Sequence, residues 1–288
     1  MAEALYPAYR RYVDSRVEVN NAMMALLAGS RLAAHTLQLT EGSSATLPEV
    51  FPAVEHIRRF NLRSDVARDL LGDADYHLAS VAVPYALATH EDYVTATLEW
   101  LKTTFGKTLI KHGNPIRAWN MHSIFFETCG TQEPEEWMQT FHVLREMRNC
   151  ITHAGGQVDE ALRAKIASMG ADARAGWEKM NLGNPPEAIE NSGKLALTAE
   201  HIFTAFAVTK QLGREVNYVL RNTLTPAEWA AIVVNDYAQT TSKDKNSAAW
   251  RRALIGYARS FYSPLGLHDA DLEAAARQTG AWTRNAWS

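Results

Sequence analysis

The sequence predicts an all-α protein. Apolar residues recur at the helical spacing of three and four positions through most of the 288 residues. Capping residues precede these runs, and glycine or proline follows them, as at the ends of helices. The sequence contains no glycine-rich phosphate-binding loop and no Gly-x-Ser-x-Gly or His-Glu-x-x-His motif. We therefore expect a helical bundle as the core, with helical extensions before and after it.

Residues 1–60 are predicted to form the amino-terminal extension. Apolar residues from Tyr9 onward give a long first helix that ends near Gly42. Thr46 and Glu49 then form a capping box, which opens a second, shorter helix.

Residues 61–222 are predicted to form the core. Ser64 is a plausible cap for a long element that runs to Gly106, and Pro84 should kink or split it. The next helix opens around Pro134, with glutamates in its first turn. The less regular segment 158–191 is predicted to be a lid or connector. A strong helix that begins at Thr198 closes the core.

Residues 223–288 are predicted to form a carboxy-terminal helical appendage. Thr225, Pro226 and Glu228 combine an N-cap, a first-turn proline and a returning glutamate, so a helix begins there. A further helix carries Trp250, and a short one follows Asp269.

Composition narrows the class of protein. The formal net charge of −3 excludes a globally cationic nucleic-acid binder, so any such contact must come from a local basic surface. Cys129 and Cys150 are the only cysteines, which argues against a disulfide scaffold or a zinc site. The charged first eleven residues do not resemble a signal peptide, and the apolar stretches fall short of the ~20 residues of a membrane helix. We expect a cytoplasmic protein without metal, cofactor or membrane contact.

The candidate chemistry lies in the motif Arg148-Asn149-x-x-x-His153, at the end of a predicted helix that stops at Gly155 and Gly156. Steps of four, three, four and three define one stripe of this helix: Trp137, Phe141, Leu144, Arg148 and Ile151. Arg148 thus occupies a position where an apolar residue is expected. Because burying an unpaired guanidinium is costly, Arg148 requires an anion, a cleft or an interface.

The spacing of the motif poses a geometric problem. Positions five apart lie about 140° around a helix and about 7.5 Å along it, so one straight helix does not aim Arg148 and His153 at one point. The helix could loosen near its end, where Gly155 or Gly156 adopts a left-handed conformation. Alternatively, two copies could face each other across a two-fold axis. We expect both, in a homodimer or higher homo-oligomer.

These residues resemble the ribonuclease motif of the HEPN superfamily, all-helical domains of toxins, phage-defence proteins and RNA-processing factors. That motif is Arg, four to six residues, then His; four residues intervene here, and Asn149 is the polar residue that usually follows the Arg. The resemblance implies an HEPN-like antiparallel bundle and metal-independent RNA cleavage at a dimer interface. Arg148 and His153 would be catalytic, with Asn149 supporting them. A toxin or antiviral effector with an antitoxin or regulatory partner fits this class.

Two other regions are candidates for the site. His90 and Glu91 lie on a helix that loosely resembles the one preceding the motif helix in HEPN domains; the alternative is an exposed polar turn. The basic segment, residues 102–126, contains no acidic residue and alternates cations with aromatic rings, a pattern typical of single-strand RNA binding. Its aromatics could instead be core residues. The predicted RNA-binding cations are Lys107, Lys111, Arg117 and, on the motif helix, Arg145.

Two alternatives to an endoribonuclease stay open. One is a non-catalytic HEPN-like module that dimerises through the same helix and binds RNA, a nucleotide or a partner protein. The other is a structural subunit in which the motif forms an interfacial salt-bridge network. Fold resemblance alone does not separate them. A histidine that can titrate beside an arginine favours catalysis.

Overall fold

The structure, a computed structural model, describes residues 2–59 and 61–287. It is 69% helical and includes one small two-stranded hairpin, which confirms the predicted all-α class. The helices, numbered in chain order, are α1 Pro7–Gln38, α2 Leu47–Val50, α3 Ser64–Gly72, α4 Ala74–Phe105, α5 Met121–Thr128, α6 Glu135–His153, α7 Glu160–Ala167, α8 Ala171–Met180, α9 Ala199–Thr223, α10 Pro226–Thr240, α11 Ala248–Phe261 and α12 Asp269–Gln278. The antiparallel hairpin pairs β1, Glu190–Asn191, with β2, Lys194–Leu195.

Helices α2 and α10 start directly after their predicted caps, Thr46 and Thr225, whereas α3 includes the predicted cap Ser64 and has Arg63 as its N-cap. The best example is α10, where the Thr225 N–H donates to Glu228 Oε2 at 2.7 Å and the Glu228 N–H donates to Thr225 Oγ1 at 3.2 Å. This reciprocal pair satisfies N–H groups that have no partner inside the helix. Within the described part of the chain, none of the helices combines the length and the apolar character that a membrane span requires.

The predicted long element of the core is divided at a different place. The break falls at Asp73, between α3 and α4, whereas α4 is continuous through Pro84. Proline removes one helical hydrogen bond, but Val83 and Leu87 beside it are fully buried. Their packing offsets the lost bond, so the helix does not split at Pro84.

The chain divides into two compact units. The first unit consists of Met1–Ser15, Thr89–Pro134 and Lys210–Ser288, and the second of Arg16–Ala88 and Glu135–Thr209. This division does not follow the predicted boundaries at residues 60 and 222. In particular, the first fifteen residues group with the end of the chain rather than forming an extension.

The first unit is held together around aromatic rings. Tyr6, the residue before α1, stacks on Trp100 with ring centres 5.6 Å apart, and its ring centre lies 5.7 Å from that of Trp229. Before it, Ala4 exchanges two hydrogen bonds with the Asn217 carboxamide, at 3.1 and 2.8 Å. These contacts bury the amino-terminal segment in the first unit.

The second unit is organised around α6. Helices α7 and α8 and strand β2 all pack against it. Leu162 and Trp177 are fully buried, and Ile189 is 1% exposed. The segment 158–191 is therefore a packed part of the second unit and not the lid or connector that the sequence predicts.

Candidate functional site

Helix α6 carries the motif in its last two turns. Its buried side includes Phe141, Leu144, Met147 and Cys150, all fully buried. Of the predicted stripe, Phe141 and Leu144 belong to the core, while the other members, including Arg148, are half-buried. Arg148 therefore lies at the edge of the buried surface rather than inside it.

The helix ends immediately after the motif. Gly155 and Gly156 have φ angles of 58° and 82°, so both adopt the predicted left-handed conformation. The Gly156 N–H donates to the Cys150 carbonyl, six residues earlier, at 2.9 Å, so the chain turns back on the last turn of the helix and satisfies one of its terminal carbonyls. The Gly156 carbonyl in turn accepts from the Leu195 N–H at 2.8 Å, which ties the helix end to β2.

A close approach between Gly156 and Tyr76 also restricts the residue at this end of α6. A Cβ atom at Gly156 would lie 2.8 Å from the hydroxyl oxygen of Tyr76, whereas one at Gly155 would meet nothing within 4 Å. Position 156 thus requires glycine for two reasons, its left-handed backbone and its lack of room.

The glycine cap does not bring the motif residues together within one chain. Helix α6 remains α-helical through His153, so Arg148 and His153 are separated by a regular turn and a half. Their directions differ by about 140°. Loosening of the helix between them, one of the two predicted devices, is absent. The other predicted arrangement places two copies of the chain face to face across a two-fold axis.

His153 instead belongs to a different face of α6, which we call the polar stripe. Going back from His153 in steps of four, three and four gives Asn149, Glu146 and His142, and Arg145 lies beside them. All five positions fall within about 100° of the helix circumference. The exposed His153 ends this stripe, and Asn149 is half-buried within it.

Glu146 is the centre of the polar stripe. Its side chain is only 10% exposed and accepts hydrogen bonds from Arg145 and from Asn149 Nδ2, the latter at 2.8 Å. A buried carboxylate needs such donors because it loses its hydration. The sequence analysis missed Glu146 and His142. Their helical spacing from His153 is the signal that would have found them.

Arg145 is not the surface cation that the sequence predicts. Its side chain is 12% exposed and pairs with Glu146. Its Nε atom is buried and has no hydrogen-bond partner among the described residues. Because its charge is directed at Glu146, Arg145 contributes little to a phosphate-binding surface.

His142 is held in its neutral form. Burial, together with the positive charges of Arg145 and Lys165, lowers its pKa to about 4. Its Nδ1 atom is buried and lacks a hydrogen-bond partner among the described residues. A histidine with this pKa is unprotonated and only weakly basic at neutral pH, so His142 is a poor general base.

The second-tier candidates His90 and Glu91 lie on α4, in the first unit. His90 is fully buried, with Nδ1 3.0 Å from the Tyr12 hydroxyl and Nε2 2.8 Å from Nε2 of His122. Burial lowers the pKa of His90 to about 3. It is a neutral core histidine, neither an exposed polar turn nor a group that reaches RNA. Glu91 is half-buried.

The basic segment, in the first unit, contains both exposed groups suited to RNA binding and aromatic core residues. Arg117 and Trp119 are exposed, the latter by 52%, and Lys107 and Lys111 are half-buried. These groups can meet phosphates and one base. The phenylalanines of α5, by contrast, are core residues: Phe125 and Phe126.

No group of three or more His, Cys, Asp or Glu side chains in the described part of the chain could hold a metal ion. Comparison with protein-family models, curated protein sequences and solved structures gives no match. A functional assignment therefore depends on the site itself.

Proposed function

We propose that the protein is a metal-independent endoribonuclease of the HEPN type that acts as a homodimer. The observation that supports this proposal is the carboxy-terminal end of α6, where a half-buried Arg148 and an exposed His153 flank one closed turn of helix. The glycine cap and β2 fix that turn in place.

The two side chains supply what RNA cleavage without metal requires. An imidazole can accept the proton of the ribose 2'-hydroxyl or give one to the departing 5'-oxygen at neutral pH. The 2'-oxygen forms the new bond to phosphorus and the bond to the 5'-oxygen breaks, which leaves a 2',3'-cyclic phosphate and a 5'-hydroxyl. The guanidinium of Arg148 would bind the scissile phosphate and stabilise its additional negative charge.

The geometry of α6 supports a dimeric site. Arg148 and His153 point about 140° apart, so one chain does not direct both at one phosphate. With the ends of two α6 helices facing across a two-fold axis, His153 of one protomer would act beside Arg148 of its partner. An antitoxin or other regulatory partner would restrain such an enzyme, used as a toxin or antiviral effector, in the cell.

The decisive experiment is cleavage of single-stranded RNA in EDTA. We expect activity to persist, His153→Ala to abolish it, and Arg148→Ala to reduce it by at least ~10²-fold, as when one transition-state donor is lost. His35→Ala is the matched control, because His35 is an exposed histidine in the last turn of α1. DNA and 2'-O-methylated RNA should resist, since the nucleophile is missing or blocked.

Three outcomes would contradict the proposal: cleavage of DNA, a requirement for added magnesium, or full activity in His153→Ala. The dimer has a separate test. Light scattering that shows only monomer at micromolar concentration, with RNase activity intact, would exclude the shared site.

A non-catalytic helical module that binds RNA, a nucleotide or a partner protein is the second candidate. The pairing of Arg145 with Glu146 and the neutral His142 favour it, because they give much of the polar stripe a structural role. The same assay separates the two candidates. Tight RNA binding without any cleavage, unchanged in His153→Ala, would indicate the binding module.

A further inference from the structure

A cleft in the first unit opens between α1, α4 and α10, and we call it the aromatic pocket. Its volume is about 320 Å³, within the range of about 300–1,000 Å³ that small-molecule sites occupy. Each helix contributes residues from one side, at spacings of three or four positions. The inner lining includes Tyr6, Ala8, Ala96, Trp100 and Ile232. Because the two alanines are small, the space between the helices stays open.

Two aromatic rings form one wall of the aromatic pocket. Trp100 and Tyr6 stack with ring centres 5.6 Å apart and planes inclined by 19°. Phe105 meets the Trp100 ring edge-on at 5.0 Å, and the Tyr6 hydroxyl lies 2.6 Å from that of Tyr93. These contacts fix the orientation of both rings, so the wall exists before a ligand binds. A rigid aromatic wall favours a ligand with a planar ring.

Polar side chains from all three helices stand at the rim of the pocket: Arg11 from α1, Thr104 from α4, and Asn235 and Gln239 from α10. All four are exposed, and none forms a side-chain hydrogen bond or an ion pair with another described residue. The carboxamides of Asn235 and Gln239 can each donate and accept hydrogen bonds, whereas the guanidinium of Arg11 only donates. These groups are therefore available to a ligand.

The charges around the pocket favour an anion. Asp236 lies in the lining, but its two oxygens accept hydrogen bonds from the Arg10 guanidinium at 2.9 and 2.8 Å, so its charge is compensated. Glu99 of α4 pairs with Lys102 at 3.6 Å. The charge of Arg11 has no such partner among the described residues, and a guanidinium pairs well with a carboxylate or a phosphate.

We propose that the aromatic pocket binds a small planar aromatic anion. The ring of the ligand packs against Trp100 and Tyr6, and its anionic group pairs with Arg11. The carboxamides of Asn235 and Gln239 hydrogen-bond to heteroatoms of the ring or its substituents. A nucleoside monophosphate and an aromatic carboxylate both have this chemistry. No residue of the pocket belongs to α6, so the inference does not depend on the proposed endoribonuclease.

Isothermal titration calorimetry of the full chain with two matched pairs of probes tests the proposal. Adenosine 5'-monophosphate is compared with adenosine, and indole-3-carboxylate with indole. We expect at least one of the two anions to bind with a Kd below about 1 mM, and its uncharged counterpart to bind at least ~10-fold more weakly. Inorganic phosphate and acetate, which lack the ring, should not bind. The anion that binds more tightly identifies the ligand as a nucleotide or a carboxylate.

Two variants locate the binding in the pocket. Arg11→Gln removes the charge and should weaken binding of the anion by about 10- to 100-fold, the range for a hydrogen bond to a charged group, with the uncharged probe unaffected. Ala96→Leu should fill the cleft and abolish binding of every probe; position 96 is exposed, so the fold should tolerate the larger side chain. The matched controls are Arg252→Gln on α11 and Ala161→Leu on α7, both at exposed positions outside the pocket.

Three outcomes would overturn the inference: no binding of either anion, equal affinity for an anion and its uncharged counterpart, or unchanged binding in Ala96→Leu. Nucleotide binding that is lost in Arg148→Ala but kept in Ala96→Leu would place the nucleotide at the α6 motif instead. If the anion binds as expected but the unmodified protein cleaves no RNA, the aromatic pocket stands and the endoribonuclease proposal fails.

Discussion

Two buried carboxylates, one in each unit, have different surroundings. Asp236 of the first unit accepts two hydrogen bonds from the Arg10 guanidinium, at 2.9 and 2.8 Å. It also accepts one from the hydroxyl of Tyr257 at 2.8 Å and one from that of Tyr262 at 2.6 Å. Its donors lie on α1 and on α11 or its C-cap, and Asp236 itself lies on α10, so the cluster joins three helices.

Glu146 of the second unit has donors from its own helix. Arg145 and Asn149 are its neighbours on α6, and two buried nitrogens beside it, Arg145 Nε and His142 Nδ1, have no hydrogen-bond partner among the described residues. Buried polar groups without partners reduce stability. A cluster whose donors come from other helices stabilises the packing between those helices, whereas a cluster confined to one helix does not.

The largest expected difference between the two clusters is the loss in the free energy of unfolding when each one is mutated. Asp236→Asn removes the charge that compensates Arg10, so we expect a loss of about 3–5 kcal/mol in the free energy of unfolding. The double change Arg145→Met and Glu146→Met should cost less than about 1 kcal/mol, because both charges leave together. Denaturant titration of both variants measures this difference. Equal losses would show that the Glu146 cluster is as structural as that of Asp236.

Acid should affect the two clusters in different pH windows. Burial lowers the pKa of His142 to about 4, so the unfolded chain binds a proton at this position below the ordinary histidine pKa of about 6.5 while the folded chain does not. Stability from His142 is therefore complete above about pH 6.5 and falls by about 1.4 kcal/mol per pH unit down to about 4. His90 and His201 behave in the same sense, with pKa values of about 3 and about 4.

Asp236 responds only at lower pH. Burial alone would raise the pKa of its carboxyl, but the hydrogen bonds from Arg10, Tyr262 and Tyr257 hold that pKa below the usual value. Its contribution is thus present above about pH 3.9 and is lost as the pH falls further. His142→Gln should make the loss of stability in the upper window less steep, since His90 and His201 still contribute there, and should leave the lower window unchanged. Denaturation at several pH values measures this, with His35→Gln as the control. An unchanged upper window would mean that His142 is not the neutral group described here.

The smallest effect on stability is expected from cations that belong to neither cluster. Changing Lys107, Lys111 and Arg117 together to Ala should alter the free energy of unfolding by no more than about 0.5 kcal/mol per site. RNA affinity should fall, and the slope of log affinity against log salt should flatten by about 2, since each lost phosphate contact on a single strand contributes ~0.7. Unchanged binding and salt slope would identify the segment as ordinary surface.

These differences also explain what the sequence could and could not predict. Pro134 and Gly155 are local signals, and they placed the start and end of α6 correctly. The role of Glu146 depends on which faces of α6 are covered, and periodicity alone does not reveal this. The grouping of Ala4 with Asn217 spans 213 positions, so no local pattern contains it.

Pro84 shows that a local sequence signal can also predict a feature that the fold does not have. A strong local signal for a helix break is overridden because its neighbours Val83 and Leu87 are fully buried. At the candidate site, the motif residues were identified from sequence. Their divergence on a straight helix was also predicted, but the continuity of α6 through His153 and the burial of Glu146 required coordinates.

Gly155 and Gly156 restrict which substitutions this chain can accept during evolution. At Gly155 only the left-handed backbone is restrictive and the surrounding space is open, so asparagine is an acceptable replacement. At Gly156 any side chain meets the Tyr76 hydroxyl, 2.8 Å from the position of a Cβ atom. Among distant relatives, position 155 should therefore accept asparagine, whereas position 156 should stay glycine, because its φ of 82° is left-handed even where residue 76 is small.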